Sequence, residues 1–175
     1  AAMEGPCYLR FAREATPVFT DETSPFTIGK SIVMKAGTDV SIIAAGPLVY
    51  EALVAHELLA AEGISARVIN MHTVKPLDEA AVLNAAIETG AIVTVDEAQL
   101  AGGLGGAVAE FLVRTHPVPV EMVGIEDTFL ECGLCLRKRT IETIDHLLNL
   151  IRMRHARGVA NRYASYAQIG KTPGE

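Results

Sequence analysis

The chain is predicted to adopt an α/β fold with a parallel sheet, and three features of the stretch from Ala66 to Leu112 carry that prediction. Ala66–Asn70 and Ile92–Val95 are short apolar runs, the pattern of strands buried on both faces. Between them Pro76, Leu77 and Asp78 form a turn, and Asp78 stands where its carboxylate can accept from the free N–H groups of the following helix. A strand–helix–strand crossover of this kind is right-handed almost without exception. After the second strand come Asp96 and Glu97, then Gly102, Gly103, Gly105 and Gly106, which lead into another helix. Two acids and a glycine-rich turn thus fall on the carboxyl edge of the sheet, where open α/β sheets place ligands or partners.

Composition sets the outer bounds. A chain of 175 residues suits one domain and is long enough to bury a real core. With 50% hydrophobic and 21% charged residues, wholesale disorder is excluded. The formal net charge of −6 argues against general nucleic-acid binding. No apolar run is long enough to span a bilayer and the first residues are not a signal peptide, so no membrane role is expected. Cys7, Cys132 and Cys135 form an odd, sparse set without a disulfide framework, which points to a cytoplasmic setting. The sequence opens on Ala1–Met3 rather than an initiating methionine, and these residues look like the last turn of a helix. A fragment, a processed chain or one half of a larger enzyme is expected.

Taken in order, Pro6–Phe11 alternates as a strand does, with Arg10 and Arg13 at its far end. Glu14–Phe26, with Pro17, Pro25 and several threonines, reads as linker. A hairpin-like pair follows: Ser31–Lys35, a turn at Ala36–Thr38, then Asp39–Ala45 as a strongly apolar strand. Gly46–Pro47 breaks that strand and starts a helix running to about Glu62, because proline suits the first helical turn. Leu48, Val49, Ala52, Leu53, Ala55, Leu58 and Leu59 recur along it at helical spacing, and Gly63 ends it. Beyond the crossover come a strand at Val118–Val123 and a loop from Gly124 to Arg139. Thr140 can cap a last helix with Ile141, Ile144, Leu147, Leu148 and Ile151 as its apolar stripe. After Arg152 the chain turns basic and loses periodicity; it reads as a solvated tail or as one that wraps a partner subunit through Tyr163 and Tyr166.

Motifs narrow the chemistry mainly by exclusion. A dinucleotide fingerprint needs glycines at its first, third and sixth places, and counting from Gly103 the sixth place is Val108. The preceding acids would also repel a pyrophosphate, so the glycines are read as permitting close backbone packing where the helix starts. Cys132 and Cys135 make a formal C-x-x-C, but it lies late in the chain with no evident helix start, and scattered histidines supply no zinc partners. Of the histidines, His72 ends an inner strand on the ligand-bearing edge and is read as structural. Arg10 and Arg13 are more informative: two guanidinium groups at a strand end can hold a phosphate or carboxylate bidentately, or form an inter-domain salt bridge.

The segments GPCYLRFAR, FTIGKS, DVSIIAAGPLVYEAL, GISARVINMHTVKPLDE, TGAIVTVDEAQLAGGLGGAVAE and VGIEDTFLECG, in that order from Gly5 to Gly133, resemble the C-terminal part of transketolases. The likeness is strongest to short transketolases split into N-terminal and C-terminal subunits. Deoxyxylulose-phosphate synthases and 2-oxoacid dehydrogenase beta subunits share the architecture; the INMHTVKPLD and GLGGAVAE wording favours transketolase. The resemblance implies a three-layer α/β/α domain with a mixed, mostly parallel sheet. It divides the chain into residues 1–13, the last strand of a preceding pyrimidine-binding domain, a linker over 14–30, the C-terminal domain over 31–151 and a basic tail over 152–175.

It also implies transfer of two-carbon ketol units between sugar phosphates, with thiamine diphosphate supplying the carbanion-stabilising chemistry alongside a divalent metal such as Mg. Both would be bound by segments outside this chain, which carries no catalytic, cofactor-binding or metal-binding residue of its own and is expected to be inactive alone. An N-terminal transketolase subunit, or the missing N-terminal domains, is the implied partner, in a homodimer or heterotetramer. By position Arg13 matches the arginine that grips substrate phosphate, and Arg10 matches an arginine of related enzymes. The chain departs from the family where it has Ala98–Gln99 in place of a frequent histidine, and Glu131-Cys132-Gly133 in place of Glu-Ser-Gly. A non-catalytic regulatory or scaffold domain is the contrasting expectation.

Overall fold

The computed structural model describes residues 4–11, 15–126, 148–149 and 151–152. Along the chain run β1 (Ile32–Lys35), β2 (Val40–Ala44), α1 (Leu48–Ala61), β3 (Ala66–Asn70), α2 (Glu79–Thr89), β4 (Ile92–Gln99), α3 (Leu104–Thr115) and β5 (Val120–Ile125). The strands form one five-stranded sheet in the order β1-β3-β2-β4-β5. β2 pairs parallel with β3 and β4, β5 pairs parallel with β4, and β1 alone runs antiparallel, against β3. The sheet is therefore mixed and mostly parallel.

Apolar side chains leave both faces of this sheet. Ile42, Val68, Val93 and Val95 pack under α1, through Val49, Ala52, Ala55 and Leu59, together with Leu148 and Ile151. Ile43, Ile69 and Ile92 pack on the other face against α2, through Val82, Ala85 and Ala86, and against α3, through Leu104, Val108, Phe111 and Leu112. Neighbours Ile42 and Ile43 are both fully buried, which is why the strand runs are continuous rather than alternating. Three layers result, and at about 25 cal/mol per Å² the apolar area hidden on both faces is the main stabilising term.

The hairpin expected between Ser31–Lys35 and Asp39–Ala45 does not form, because β3 lies between those two strands. The directions are those of a hairpin, but the link at Ala36–Thr38 steps across the start of β3. A Cβ on Gly37 would stand 2.2 Å from the Ala66 carbonyl carbon. The Thr38 and Asp39 N–H groups donate to the Ser65 carbonyl at 3.0 and 2.8 Å. A fully buried strand such as β2 needs ladder partners along both edges. β1 suits the outside, with half-exposed Val33, a register shift before Lys35 and a lysine at its end.

Two further expectations change. Pro6–Phe11 is irregular, with no strand among the described residues beside it, and a strand without a ladder partner leaves its backbone groups to water. β5 starts at Val120 rather than Val118, since Pro117 and Pro119 have no N–H to donate, although the Pro119 carbonyl accepts from Ile92 N–H at 3.0 Å. Thr140 and most of the last expected helix, Cys132 and Cys135, and the tail beyond Arg152 lie outside the described residues. Arg152 itself is helical and its Nε donates to Glu62 at 2.8 Å.

Candidate functional site at the carboxyl edge

The crossover leaving β2 lies on one face of the sheet, while those leaving β3 and β4 lie on the other. The carboxyl ends of β2 and β4 therefore flank a topological switch point, the position where open α/β sheets leave a crevice. The sequence at that point is Asp96-Glu97, and the local backbone is irregular. Val95 pairs with Val123 and Gln99 with Ile125, so three residues of β4 face only Gly124 of β5. Gly124 makes room: a Cβ there would lie 2.9 Å from the Ala98 carbonyl and 3.4 Å from that of Asp96. Bulges of this kind re-aim side chains at the rim of a sheet.

The two acids are aimed at different targets. Asp96 turns back to α3, where its Oδ2 accepts from the Leu104 N–H at 3.4 Å. A carboxylate at a helix N-terminus satisfies a free donor and complements the dipole. Glu97 faces the N-terminal arm: Arg10 Nη2 donates to the Glu97 carbonyl at 2.9 Å and lies 3.7 Å from its Oε2. Beneath them Gly105 lets α3 approach the sheet, since a Cβ there would stand 2.8 Å from both Met122 Sδ and Thr94 Oγ1. Gly103 and Gly105 thus serve close packing, as expected of the cluster. Gly102 instead serves the turn through its positive φ of 77°, and a Cβ on Gly106 would meet nothing nearer than 4.0 Å.

A second cluster lies at the carboxyl end of β3. Asp78 caps α2 through Oδ1, which accepts from Ala81 N–H at 3.3 Å. Its Oδ2 accepts from the Ser31 N–H at 2.8 Å and from the Ser31 hydroxyl at 3.1 Å, and Lys30 Nζ lies 3.8 Å from Oδ1. His72 Nε2–H donates to the Thr27 carbonyl at 3.2 Å and the ring meets Phe26 at a centroid distance of 4.6 Å. The cluster clasps the end of the linker onto the β3–α2 loop. Its Ser31 half leaves no mark in the sequence, since Ser31 and Asp78 are 47 residues apart.

Of the predicted site residues, Arg10 sits in an ion pair with Glu97, and Arg13 lies outside the described residues. Among the described residues no group of three or more His, Cys, Asp or Glu is placed to hold a metal ion, and no helix is long and apolar enough to cross a membrane. A diphosphate does not fit here either, since the α3 N-terminus that would receive it already holds the Asp96 carboxylate. What the edge offers is a seat for the arm, with the Arg10 guanidinium held by Glu97.

A mixed, mostly parallel sheet between helix layers, entered by an arm that docks on its carboxyl edge, defines the class. The family model described as "Transketolase, C-terminal domain" matches residues 29–136, and the chain belongs to that family. It is 49% identical over 133 residues to a 6-deoxy-6-sulfo-D-fructose transketolase subunit of Clostridium sp. strain MSTE9, covering 76% of this chain and 41% of that protein. It is 47% identical over 134 residues to the 1-deoxy-D-xylulose-5-phosphate synthase of Symbiobacterium thermophilum, covering 74% of this chain and 20% of that one. A solved split-gene transketolase, an inactive β4 tetramer, superposes with a TM-score of 0.74 at 36% identity, covering 81% of this chain and 47% of that chain. The chain spans less than half the length of each of these proteins.

Proposed function

We propose that the chain is the C-terminal portion of a cytoplasmic, thiamine-diphosphate-dependent transketolase that moves two-carbon ketol units between sugar phosphates. Its contribution is dimer contacts and one anchor for the substrate's terminal anion. Thiamine diphosphate and its divalent metal are bound by an N-terminal subunit or by N-terminal domains, so the chain is inactive alone. The observation that carries the reading is the 49% identity to a subunit of a transketolase over most of this chain. The commitment of Asp96 and Glu97 to α3 and to Arg10 supports a positioning role rather than acid–base work at this edge.

Arg13 is the proposed anion-binding residue, by its match to the family's phosphate-gripping arginine. Arg10 is the second candidate from the resemblance; its contact with Glu97 favours giving the anion to Arg13. A guanidinium fork can hold a phosphate or a sulfonate, both tetrahedral groups with anionic oxygens, and the Clostridium relative is named for a sulfonated sugar. In the enzyme reconstituted with its N-terminal part, Arg13→Ala raises KM for phosphorylated or sulfonated ketoses by about tenfold or more, as loss of a charge-assisted contact of about 1.5–3 kcal/mol implies. KM for a neutral ketose stays where it was. An equal effect on both substrates rules out the anion role. The synthase reading, favoured by the 47% identity, is separated by the donor: turnover of pyruvate rather than xylulose phosphate selects it.

A further inference from the structure

We propose that Glu97 and Arg10 are a positioning pair that seats the arm of residues 4–11 on the carboxyl edge of β4. The inference rests on the reading that the segment reaching Arg13 holds the substrate's anion, and it names the contact that puts that segment in place. The arm has little else to hold it. It is irregular, and Tyr8, Leu9 and Phe11 are 87%, 69% and 83% exposed, so apolar burial contributes almost nothing.

Arg10 crosses 87 positions of sequence to reach Glu97, and it does so at two points, a main-chain carbonyl at 2.9 Å and a carboxylate oxygen at 3.7 Å. Both contacts use Nη2. A main-chain carbonyl is fixed by the strand, so a guanidinium that donates to it is localised at the edge better than by an exposed ion pair between two flexible side chains. Glu97 is itself aimed by the backbone. The β4 bulge takes it out of register with β5, and Gly124 supplies the space that the bulged carbonyls need. The irregularity and the pair therefore lie together at the carboxyl edge of β4.

The side chains of Arg10 and Glu97 are 51% and 26% exposed, so water screens the pair and its effect is modest. An exposed pair supports a change of about two- to fivefold in the occupancy of the seated arm. In the assembled enzyme, Glu97→Ala and Arg10→Ala raise KM for a phosphorylated ketose by about that factor, with kcat and KM for a neutral ketose unmoved. Relative to Arg10→Glu alone, the double reversal Arg10→Glu with Glu97→Arg recovers the ion-pair share of the loss. The share carried by the residue 97 carbonyl stays lost, because a carboxylate at position 10 has nothing to donate to it. If the reversal is as impaired as Arg10→Glu alone, Arg10 touches the anion itself and the seating role is overturned.

A second readout does not depend on substrate. In the full chain, trypsin cleaves after Arg10 about two- to fivefold faster in Glu97→Ala, because the guanidinium the protease must take is the one Glu97 holds. An unchanged cleavage rate overturns the proposal whatever the kinetics show. Should Arg13→Ala leave both KM values alone while the cleavage pattern holds, the seat stands and the anion-binding reading falls.

Discussion

Asp78 shows how one carboxylate joins the linker, the sheet and a helix. Oδ1 caps α2, Oδ2 takes both Ser31 donors, and the side chain is only 9% exposed. Removing it takes away the α2 cap and both part-buried Ser31 hydrogen bonds together, so Asp78→Ala costs about 2 kcal/mol in a urea titration near pH 7. Burial pushes the carboxyl up, yet the hydrogen bonds from Ser31 and Ala81, with the Lys30 ammonium nearby, outweigh it and hold the pKa below the ordinary aspartate value. A folded-state pKa lower than the unfolded one gives stability that is complete above the unfolded value of about 3.9 and drains away as pH falls through the folded value. Wild type therefore loses stability below about pH 4 more steeply than Asp78→Asn, which has no proton to bind there. Parallel curves for the two proteins would show that Asp78 does not carry this acid sensitivity.

Elements show the same dependence on close approach, and α3 gives a test in which two neighbouring glycines answer with opposite signs. A Cβ at Gly105 meets Thr94 and Met122 at 2.8 Å, whereas at Gly106 the nearest atom, the Leu100 carbonyl oxygen, is 4.0 Å away. Gly105→Ala pushes the helix off β4 and β5 and costs about 1–3 kcal/mol. Gly106→Ala keeps the packing and removes backbone freedom from the unfolded chain, a gain of about 0.5–1 kcal/mol. Denaturant midpoints measured side by side check both; a loss at both positions would mean that the helix, not its contact with the sheet, sets the cost. Local chemistry of this kind is what the sequence displays. Ala66–Asn70 is β3 as read, Asp78 is the α2 cap as read, and α1 begins one residue after Pro47. Pairing is decided elsewhere. β3 enters between β1 and β2 because of what β2 must bury, which no window around Ala36–Thr38 contains. The salt-bridge alternative for Arg10 was readable, but its partner was not, since Glu97 is aimed by a bulge that depends on Gly124 of another strand.

At the scale of the whole molecule, the apolar surface of the arm and linker bears on how the chain is completed. Tyr8, Leu9, Phe11, Val18 and Phe26 are each at least 68% exposed, which is apolar surface that the proposed N-terminal partner would cover. The chain covers 41% of the transketolase subunit it resembles, and the reading proposed above puts the cofactor in the remainder of the enzyme. Two measurements on the chain alone and with that N-terminal part follow from this division. Calorimetric titration of the isolated chain with thiamine diphosphate and magnesium gives no saturable binding in the micromolar range, and a micromolar Kd would return the cofactor site to this chain. Adding the N-terminal part raises the thermal midpoint in a concentration-dependent way, because a partner that binds only the folded state stabilises it by mass action. At about one hundred times Kd the stabilisation is about 2.7 kcal/mol, which for a chain of this size is a rise of about 5–10 °C. Polar substitutions at Tyr8 and Phe11 reduce that rise while leaving the midpoint of the isolated chain where it was, because both rings are already in water before the partner arrives.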